Sequence, residues 1–340
     1  MNWKTCGFLG ATLVLLGAAP AVAGEATPPH AVSREDYRRP AEIPFPEENP
    51  YSEAKAELGR KLFFDPILSG SRVRSCATCH NPGLSWGDGL PRALGEGQAI
   101  LALRAPTLID IAWIPRLGWD GKFRDLESVA FGPITSPANM NLPEASLVAR
   151  LSSISGYVDA FTAAFGEGPI TRDNIELALA TFERSIVSEA TPFDRWIGGD
   201  EAAIDTAAKR GFDIFNGKGR CAECHSKFSF TDGSFHDIGT ARNGDVGRGK
   251  LFPNSVKLQY AFKTPTLRNV ARRAPYMHDG SVATLEEVIE LYDRGGIDRP
   301  SRSPLIAPLD LTKDEKASLI AFLNTLTSPP VAVPVPILPR

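Results

Sequence analysis

The stretch Cys76-Ala77-Thr78-Cys79-His80 decides how this chain is interpreted, because it recurs as Cys221-Ala222-Glu223-Cys224-His225. A Cys-x-x-Cys-His pentapeptide is the attachment signal of a c-type haem. Its thiols bond covalently to the haem, and the adjacent imidazole can bind the iron axially. Zinc knuckles are the alternative, but structural zinc sites pair their ligands over shorter spans, and here a histidine follows both motifs. We therefore predict two covalent haems, held by Cys76, Cys79, His80, Cys221, Cys224 and His225.

The first 23 residues have the pattern of a secretory signal peptide. Lys4 supplies the basic region, residues 8–19 the apolar region, and residues 21–23 the small side chains of a cleavage site. The apolar region is short for a membrane span, so we expect no membrane anchor after cleavage. Cys6 would be removed with the signal, and the four remaining cysteines belong to the haem motifs. Export and haem attachment together predict the periplasm of a Gram-negative bacterium.

The composition of the 340-residue chain is nearly charge-balanced, with 37 basic and 40 acidic residues. The sequence contains no basic stripe of the kind that binds nucleic acid or a membrane surface. The 30 glycines and 28 prolines suit a loop-rich helical protein, and no long alternating pattern predicts a strand. We expect a mostly α fold.

The two halves of the chain repeat one another. Three segments recur, at 104–108 and 263–267, at 119–121 and 278–280, and at 126–129 and 285–288. Each pair is separated by the same 159 residues, as from Arg104 to Lys263. Such self-similarity predicts two cytochrome c-like haem domains related by internal duplication.

The predicted organisation follows from this repeat. Amphipathic helices are expected before each haem motif, at 54–64 and 207–215, and between the halves at 171–186 with Thr171 as N-cap. The predicted segments are a signal peptide (1–23), an irregular N-terminal extension (24–50), haem domains (51–200 and 201–327) and a proline-rich tail (328–340).

The second axial ligand of each iron decides whether that iron reacts or only moves electrons. Residues outside the motifs that could serve are His30, His236, His278, Met140, Met277 and some of the tyrosines. The histidines could equally be structural, and the sequence leaves this open. The repeat gives a sharper hypothesis, because Tyr292 on a helix after Thr284 has Pro133 as its counterpart 159 residues earlier. If this position holds the ligand, a phenolate closes the second iron and the first stays open.

These features resemble the bacterial dihaem cytochrome c peroxidases, and among them the MauG-like branch. The motifs that carry the resemblance lie at 58–66, 182–184, 192–195, 265–270 and 275–280. The resemblance implies that the N-terminal haem reacts with hydrogen peroxide and that the C-terminal haem is a six-coordinate redox partner. It also implies a tyrosine ligand at Tyr292, where ordinary peroxidases have methionine.

The resemblance assigns further residues to the catalytic site. Trp119 matches a tryptophan between the haems, and Glu96 stands where ordinary peroxidases have a distal histidine. Asn139 stands where the family has a distal glutamate, and an amide cannot shuttle a proton at neutral pH. Another carboxylate, such as Glu96, Glu127 or Glu144, would have to replace it. The predicted catalytic residues are Trp119, Pro133, Asn139 and Glu96.

A calcium ion between the domains is also implied by the resemblance. The carbonyls of Arg273 and Pro275 could bind it, but the family's asparagine ligand aligns with Arg104. A guanidinium beside a cation is unfavourable, so calcium is doubtful.

Three functions are compatible with the sequence. The leading hypothesis is a periplasmic oxidoreductase that activates peroxide at the His80 haem and oxidises a partner protein, possibly at a tryptophan-derived residue, through a His225/Tyr292 haem. The second is a conventional peroxidase that takes electrons from a small cytochrome or cupredoxin. The third is a non-enzymatic electron-transfer cytochrome, which requires protein ligands on both irons.

Overall fold

The computed structural model describes residues 33–242, 244–330 and 332–340, which fold mainly as α-helices. The helices are α1 Glu53–Phe64, α2 Cys76–Cys79, α3 Phe131–Thr135, α4 Glu144–Ser152, α5 Ser155–Phe165, α6 Arg172–Arg184, α7 Pro192–Ile197, α8 Thr206–Asn216, α9 Leu285–Asp293 and α10 Lys313–Thr325. Two short strands, β1 (Phe235–His236) and β2 (Phe262–Lys263), pair antiparallel with Phe235 opposite Lys263. The mostly α prediction is confirmed. The predicted signal peptide, Cys6 and His30 lie outside the described residues.

Short 3₁₀ helices complete the secondary structure of the described segments. They span Arg34–Tyr37, Pro66–Leu68, Pro82–Leu84, Glu96–Gln98, Ile111–Trp113, Cys221–Glu223, Arg248–Lys250, Val256–Leu258 and Val270–Arg272. Among these described residues, no helix is both long and apolar enough to cross a membrane.

The helices begin where the sequence predicts, because side chains satisfy their first free backbone N–H groups. Thr171 accepts a hydrogen bond from the backbone N–H of Asn174 and starts α6. Thr284 starts α9 with a capping box, in which its hydroxyl and the Glu287 carboxylate each accept a backbone N–H of the other residue. The predicted helices at 54–64 and 207–215 are observed at 53–64 and 206–216.

The duplication is visible in the backbone. Gly59 brings α1 against α6, and Gly211 brings α8 against α10 in the same way. A Cβ on Gly59 would lie 2.0 Å from the Ala178 carbonyl oxygen, and one on Gly211 would lie 2.0 Å from that of Ser318. Both crossings therefore bring backbone against backbone, which only glycine permits.

We expect the Gly211→Ala variant to unfold more easily, because its Cβ would also lie 2.7 Å from the Phe322 Cβ and force α8 and α10 apart. Overpacking of this kind costs roughly 1–3 kcal/mol of unfolding free energy. Chemical denaturation of the haem-loaded protein measures it. Gly87→Ala is the control, since its Cβ would meet nothing closer than 3.7 Å. Equal stability of both variants would contradict the crossing.

Each half has its own hydrophobic core. The first core draws its fully buried side chains from residues 58–186, and the second draws most of its own from residues 193–326. Phe193 and Trp196 on α7 precede the predicted boundary at residue 200, yet they lie in the second core. The predicted domain boundaries remain a prediction.

The N-terminal extension is not irregular throughout, and the sequence-based expectation is wrong here. Residues Arg34–Tyr37 form a 3₁₀ turn, and Tyr37 is fully buried in the second core. Its ring stacks on Phe230 at 4.9 Å between ring centroids, and its hydroxyl donates to Asn216 Oδ1 at 2.8 Å. Burial of an aromatic ring with a satisfied hydroxyl explains why this segment is ordered.

The proline-rich tail contains no helix or strand in its described residues 328–330 and 332–340, as its prolines predict. It leaves α10 through a hydrogen bond from the Ser328 backbone N–H to Asn269 Oδ1 at 2.7 Å. It then reaches the first half, where Val333 packs on the first core and the Pro334 carbonyl accepts from Arg60 at 3.0 Å. The two terminal segments thus each pack against the opposite half of the protein.

Candidate haem centres and peroxide site

The first haem motif forms the short helix α2 and presents its side chains to the first core. Cys76 and Cys79 lie one helical turn apart, and the His80 backbone N–H donates to the Cys76 carbonyl at 2.9 Å. His80 Nδ1 lies 3.0 Å from the Pro106 carbonyl and 3.3 Å from that of Trp86. Because a carbonyl only accepts, Nδ1 carries the proton and Nε2 keeps its lone pair for a metal.

The second motif repeats this arrangement. The His225 backbone N–H donates to the Cys221 carbonyl at 2.8 Å, and His225 Nδ1 donates to the Phe230 carbonyl at 2.9 Å. Burial lowers the pKa of both His80 and His225, so each imidazole is neutral and able to bind iron. These carbonyls fix the tautomer that an axial ligand needs.

One cavity contains every group expected at the second haem. Cys221, Cys224, His225 and Tyr292 all line it. Its remaining walls are largely aliphatic, from residues such as Ile238, Leu285, Val288, Ile289, Leu319 and Leu323. Two thiols, an imidazole Nε2 and a phenol around an apolar space fit a c-type haem with two axial ligands. Burial raises the pKa of the Tyr292 phenol, so its ionisation needs a cation such as ferric iron beside it.

A zinc ion is the alternative at the second motif, since Cys224, Asp232 and His236 bring three ligand atoms within 4.8 Å of one another. His236 Nε2 lies 2.7 Å from Asp232 Oδ2, and this carboxylate raises the pKa of His236 to about 10. His236 is therefore an imidazolium, which has no lone pair for a metal. The geometry favours haem attachment through Cys224.

The residues predicted to face peroxide come together beside α3. Pro133 lies in this helix, and its carbonyl accepts from the Met140 backbone N–H at 3.1 Å. The Glu96 backbone N–H donates to the Ala138 carbonyl at 3.2 Å, which places Glu96 next to the loop that carries Asn139. Three of the predicted catalytic residues are thus neighbours in the backbone: Pro133 lies in α3, Asn139 in the loop after α3, and Glu96 in a segment that is hydrogen-bonded to this loop.

Among the three carboxylates considered as an acid/base group, the geometry favours Glu96. Glu127 binds both Arg184 nitrogens, at 2.5 and 2.8 Å, and Asn49 at 2.9 Å. Burial alone would raise the pKa of Glu127, but these hydrogen bonds lower it, so the carboxylate stays ionised and bound to Arg184 and Asn49. Glu144 is exposed and paired with Arg172 at 3.0 Å. Glu96 accepts from the Ser71 hydroxyl at 3.1 Å.

Comparison with known proteins identifies the family. The chain is 47% identical to the methylamine utilization protein MauG of Methylorubrum extorquens, over 98% of this chain and 95% of that protein. The chain belongs to the dihaem cytochrome c peroxidase family. The model of this family, described as di-haem cytochrome c peroxidase, matches residues 53–202. MauG of Methylophilus methylotrophus is 44% identical over 96% of this chain and 98% of that protein.

A solved structure supports the same relationship. The crystal structure of a MauG-like protein associated with microbial copper homeostasis superposes with a TM-score of 0.79 at 33% identity, covering 85% of this chain and 95% of that one. This dihaem peroxidase therefore carries two covalently bound c-type haems. It is a MauG-like oxidoreductase that uses peroxide, together with a protein substrate or redox partner.

Trp119 lies near the second haem motif of the peroxidase, and its predicted position between the two haems remains a prediction. It lines the cavity of His225, which is also lined by Pro106, the hydrogen-bond partner of His80. Its indole N–H donates to the Arg104 carbonyl at 3.0 Å, and its ring meets the His278 ring edge-on at 6.4 Å between centroids. These contacts fix the indole in one orientation.

His278 has a structural environment in this peroxidase. It is 4% exposed, stacks on Phe262 at 3.7 Å between centroids, and pairs with Asp245 at 3.0 Å. Its carbonyl accepts from the Arg104 backbone N–H at 3.1 Å. Packing and hydrogen bonding thus account for this histidine.

The environment of the possible calcium ligands counts against a cation. Arg104 Nη2 donates to the Arg273 carbonyl at 2.9 Å, so a guanidinium already holds one of the two carbonyls proposed as ligands. The Arg273 guanidinium is itself buried, which lowers the pKa of Arg273 to about 9 with Arg104 adding to the effect. Two neighbouring guanidinium groups repel a divalent ion. Calcium at Arg273 and Pro275 remains a prediction that this arrangement disfavours.

Glu183 is a residue whose environment the sequence analysis did not identify. It lies close to the Cys76 thiol, and burial raises the pKa of Glu183 to about 8. A signal was available, because Glu183 follows Ile175 and Leu179 at intervals of four residues on the apolar face of α6. An acidic residue in an apolar helix stripe is a reason to expect a perturbed pKa.

We expect the Glu183→Gln variant to lose a pH dependence of stability. A carboxyl whose pKa rises from 4.5 to about 8 on folding contributes stability that is present below pH 4.5 and is lost as the pH rises through about 8. The melting temperature of the native enzyme should therefore fall between about pH 4.5 and 8 relative to that of the variant, and the two curves should run parallel above that range. Exposed Glu189→Gln is the control. Parallel curves for all three proteins would contradict the assignment.

Proposed function

We propose that this enzyme works in the periplasm, reduces hydrogen peroxide at the His80 haem and draws the two electrons from a partner protein. One peroxide, two electrons and two protons give two water molecules. The observation that carries the proposal is the contrast between Pro133 and Tyr292, which occupy equivalent positions of the two repeats. The proline side chain offers no donor atom, so the first iron would keep an open position where Tyr292 would close the second.

The residues around the open position would handle peroxide and its protons. A haem with one open axial position supplies the redox chemistry for peroxide reduction. The Pro133 ring leaves space for peroxide, and the Asn139 amide can orient it by hydrogen bonding. Glu96 would accept the proton of one peroxide oxygen and return it to the other, which then leaves as water.

The second centre would store one of the two oxidising equivalents. An anionic phenolate favours the higher oxidation states of iron, whereas a thioether raises the potential. Tyr292 and His225 as axial ligands therefore suit storage more than rapid acceptance of electrons from a high-potential cytochrome. Trp119, which lines the cavity between the motifs, would couple the two centres.

The partner would be a periplasmic protein oxidised at one of its own residues, for example a tryptophan-derived one. The secretory pattern at residues 1–23 supports the periplasm, together with haem attachment. The 44–47% identity to two proteins named MauG favours the MauG-like hypothesis, in which a partner protein is oxidised, over that of a conventional cytochrome c peroxidase.

Electron paramagnetic resonance of the ferric enzyme tests the proposal. We expect one high-spin signal from the open haem and one low-spin signal from the closed haem. Two low-spin signals would exclude peroxide activation at rest. One equivalent of peroxide should then give a long-lived two-electron-oxidised enzyme, followed by absorption spectroscopy. Rapid decay, with fast turnover of reduced cytochrome c, would instead identify a conventional peroxidase.

A further inference from the structure

A compact loop projects from the second half of the molecule. This loop, residues 247–261, closes at its neck where the Arg248 backbone N–H donates to the Ala261 carbonyl at 2.9 Å. Inside it, the Gln259 amide donates to the Pro253 carbonyl at 3.0 Å. A loop of this length with joined ends and internal hydrogen bonds is an Ω-loop, a type that is frequently functional. We call residues 247–261 the basic loop.

The surface of the basic loop combines positive charge with exposed apolar groups. It contains three basic residues and no acidic residue, although the whole chain has a net charge of −3. Leu251, Phe252 and Val256 are 44%, 45% and 60% exposed. Lys257 is exposed, and Lys250 is 56% exposed with its nitrogen 3.8 Å from Asp245. Apolar groups among charged residues are typical of a protein-binding surface.

The basic loop is fastened to the turn that carries Trp119. Arg248 Nη1 donates to the Asp120 carbonyl at 2.6 Å and to the Gly121 carbonyl at 3.2 Å. The same guanidinium stacks over the Phe235 ring at 4.0 Å and the Phe252 ring at 4.9 Å. Strand β2 follows the loop directly, and its Lys263 backbone N–H donates to the Trp119 carbonyl at 2.8 Å. A partner bound here would lie close to the indole between the haem motifs.

We propose that the basic loop is the docking surface for a redox partner protein with an acidic face around an apolar centre. The proposal rests on the proposed function, because it gives electrons from the partner a short route to Trp119. The lysines would steer an acidic partner, and Phe252 would supply the buried apolar contact. A protein is favoured over an anionic membrane because two hydrogen bonds from Arg248 join the loop to the Trp119 turn, and a third joins the adjacent strand β2 to it, which membrane binding does not require.

The test measures binding of reduced plastocyanin, an acidic redox protein, to the full-length haem-loaded enzyme by calorimetry at low ionic strength. We expect Lys257→Glu to raise the dissociation constant for plastocyanin about tenfold. Added salt should remove this difference between the variant and the native enzyme. Phe252→Ser should weaken binding by a similar factor at all salt concentrations. The control is Lys313→Glu, an exposed lysine on α10 with the same charge change, which should alter binding less than twofold.

Other outcomes would contradict the proposal that the basic loop is a docking surface. Equal losses of plastocyanin affinity in Lys313→Glu and Lys257→Glu would show a general effect of charge. Tighter binding of mitochondrial cytochrome c, which has a basic surface, would exclude an acidic partner. The native enzyme could also sediment with phosphatidylglycerol vesicles. If Lys257→Glu abolished this sedimentation and left plastocyanin binding unchanged, the loop would be a membrane-binding surface. Peroxide-dependent oxidation of hydroquinone is measured alongside: its absence contradicts the proposed function, whereas the binding results test the surface alone.

Discussion

We expect the Glu96→Gln variant to lose about 10²- to 10³-fold in kcat/KM for hydrogen peroxide, because general acid–base catalysis contributes factors of this size. Glutamine keeps the shape of the side chain and can still accept from Ser71, but it cannot take up a proton. Glu127 is committed to Arg184, and Glu144 to Arg172. No second carboxylate among these candidates is placed to compensate. Stopped-flow absorption of the first haem against peroxide concentration measures the rate.

Two further variants make the assignment of Glu96 decisive. Glu144→Gln removes a carboxylate of the same type from the exposed start of α4 and should leave the rate within about twofold. Asn139→Glu combined with Glu96→Gln should recover part of the lost activity, because the Glu96 backbone adjoins the loop of residue 139. Full activity of Glu96→Gln would show that the proton moves by another route.

Local pattern was sufficient to predict the repeat and some of the helices, although α4, α5 and α7 were not predicted and α6 ends at Arg184, two residues before its predicted end. The cap at Thr171 and the capping box at Thr284 are sequence features that act within one helical turn, so α6 and α9 begin where expected. The repeat extends to backbone conformation: Asp110 and Asn269 occupy equivalent positions and both have left-handed dihedrals, with φ of 56° and 57°. A duplicated sequence therefore preserves even the strained residues of its loops.

Tertiary contacts were not predictable in the same way. Burial of Tyr37 depends on an aromatic cluster more than 150 residues away, which no local pattern indicates. The choice among Glu96, Glu127 and Glu144 depends on whether an arginine lies within reach, as Arg184 does for Glu127. The same holds for Arg104, because only the folded chain shows its guanidinium on the Arg273 carbonyl.

Under the proposed function, the repeat would also explain how one fold produces two unlike haem centres. The proximal sides are equivalent, since His80 and His225 each donate from Nδ1 to a backbone carbonyl. The proposed difference lies at the equivalent repeat positions, where the nine-residue helix α9 carries Tyr292 and the five-residue helix α3 carries Pro133. A change of one donor side chain is chemically sufficient to separate a reacting iron from a storing one.

The second large effect is expected for Tyr292→Phe, which keeps the aromatic ring and removes the oxygen donor. The low-spin signal of the ferric enzyme should disappear and be replaced by a second high-spin signal, while the signal of the His80 haem stays unchanged. Tyr276→Phe is the matched control, because Tyr276 lines the same cavity and its hydroxyl donates to the Val270 carbonyl at 3.2 Å. That variant should retain the low-spin signal.

Tyr292→Met tests the storage role separately from ligation. Methionine restores a donor, so the low-spin signal should persist, but exchanging a phenolate for a thioether should raise the midpoint potential on the order of a few hundred mV. A higher potential makes the centre a better electron acceptor and a poorer store, so the two-electron-oxidised state should decay faster after one equivalent of peroxide. An unchanged low-spin signal in Tyr292→Phe would refute the assignment of Tyr292 as an iron ligand. An unchanged lifetime of the two-electron-oxidised state in Tyr292→Met would refute storage at this centre.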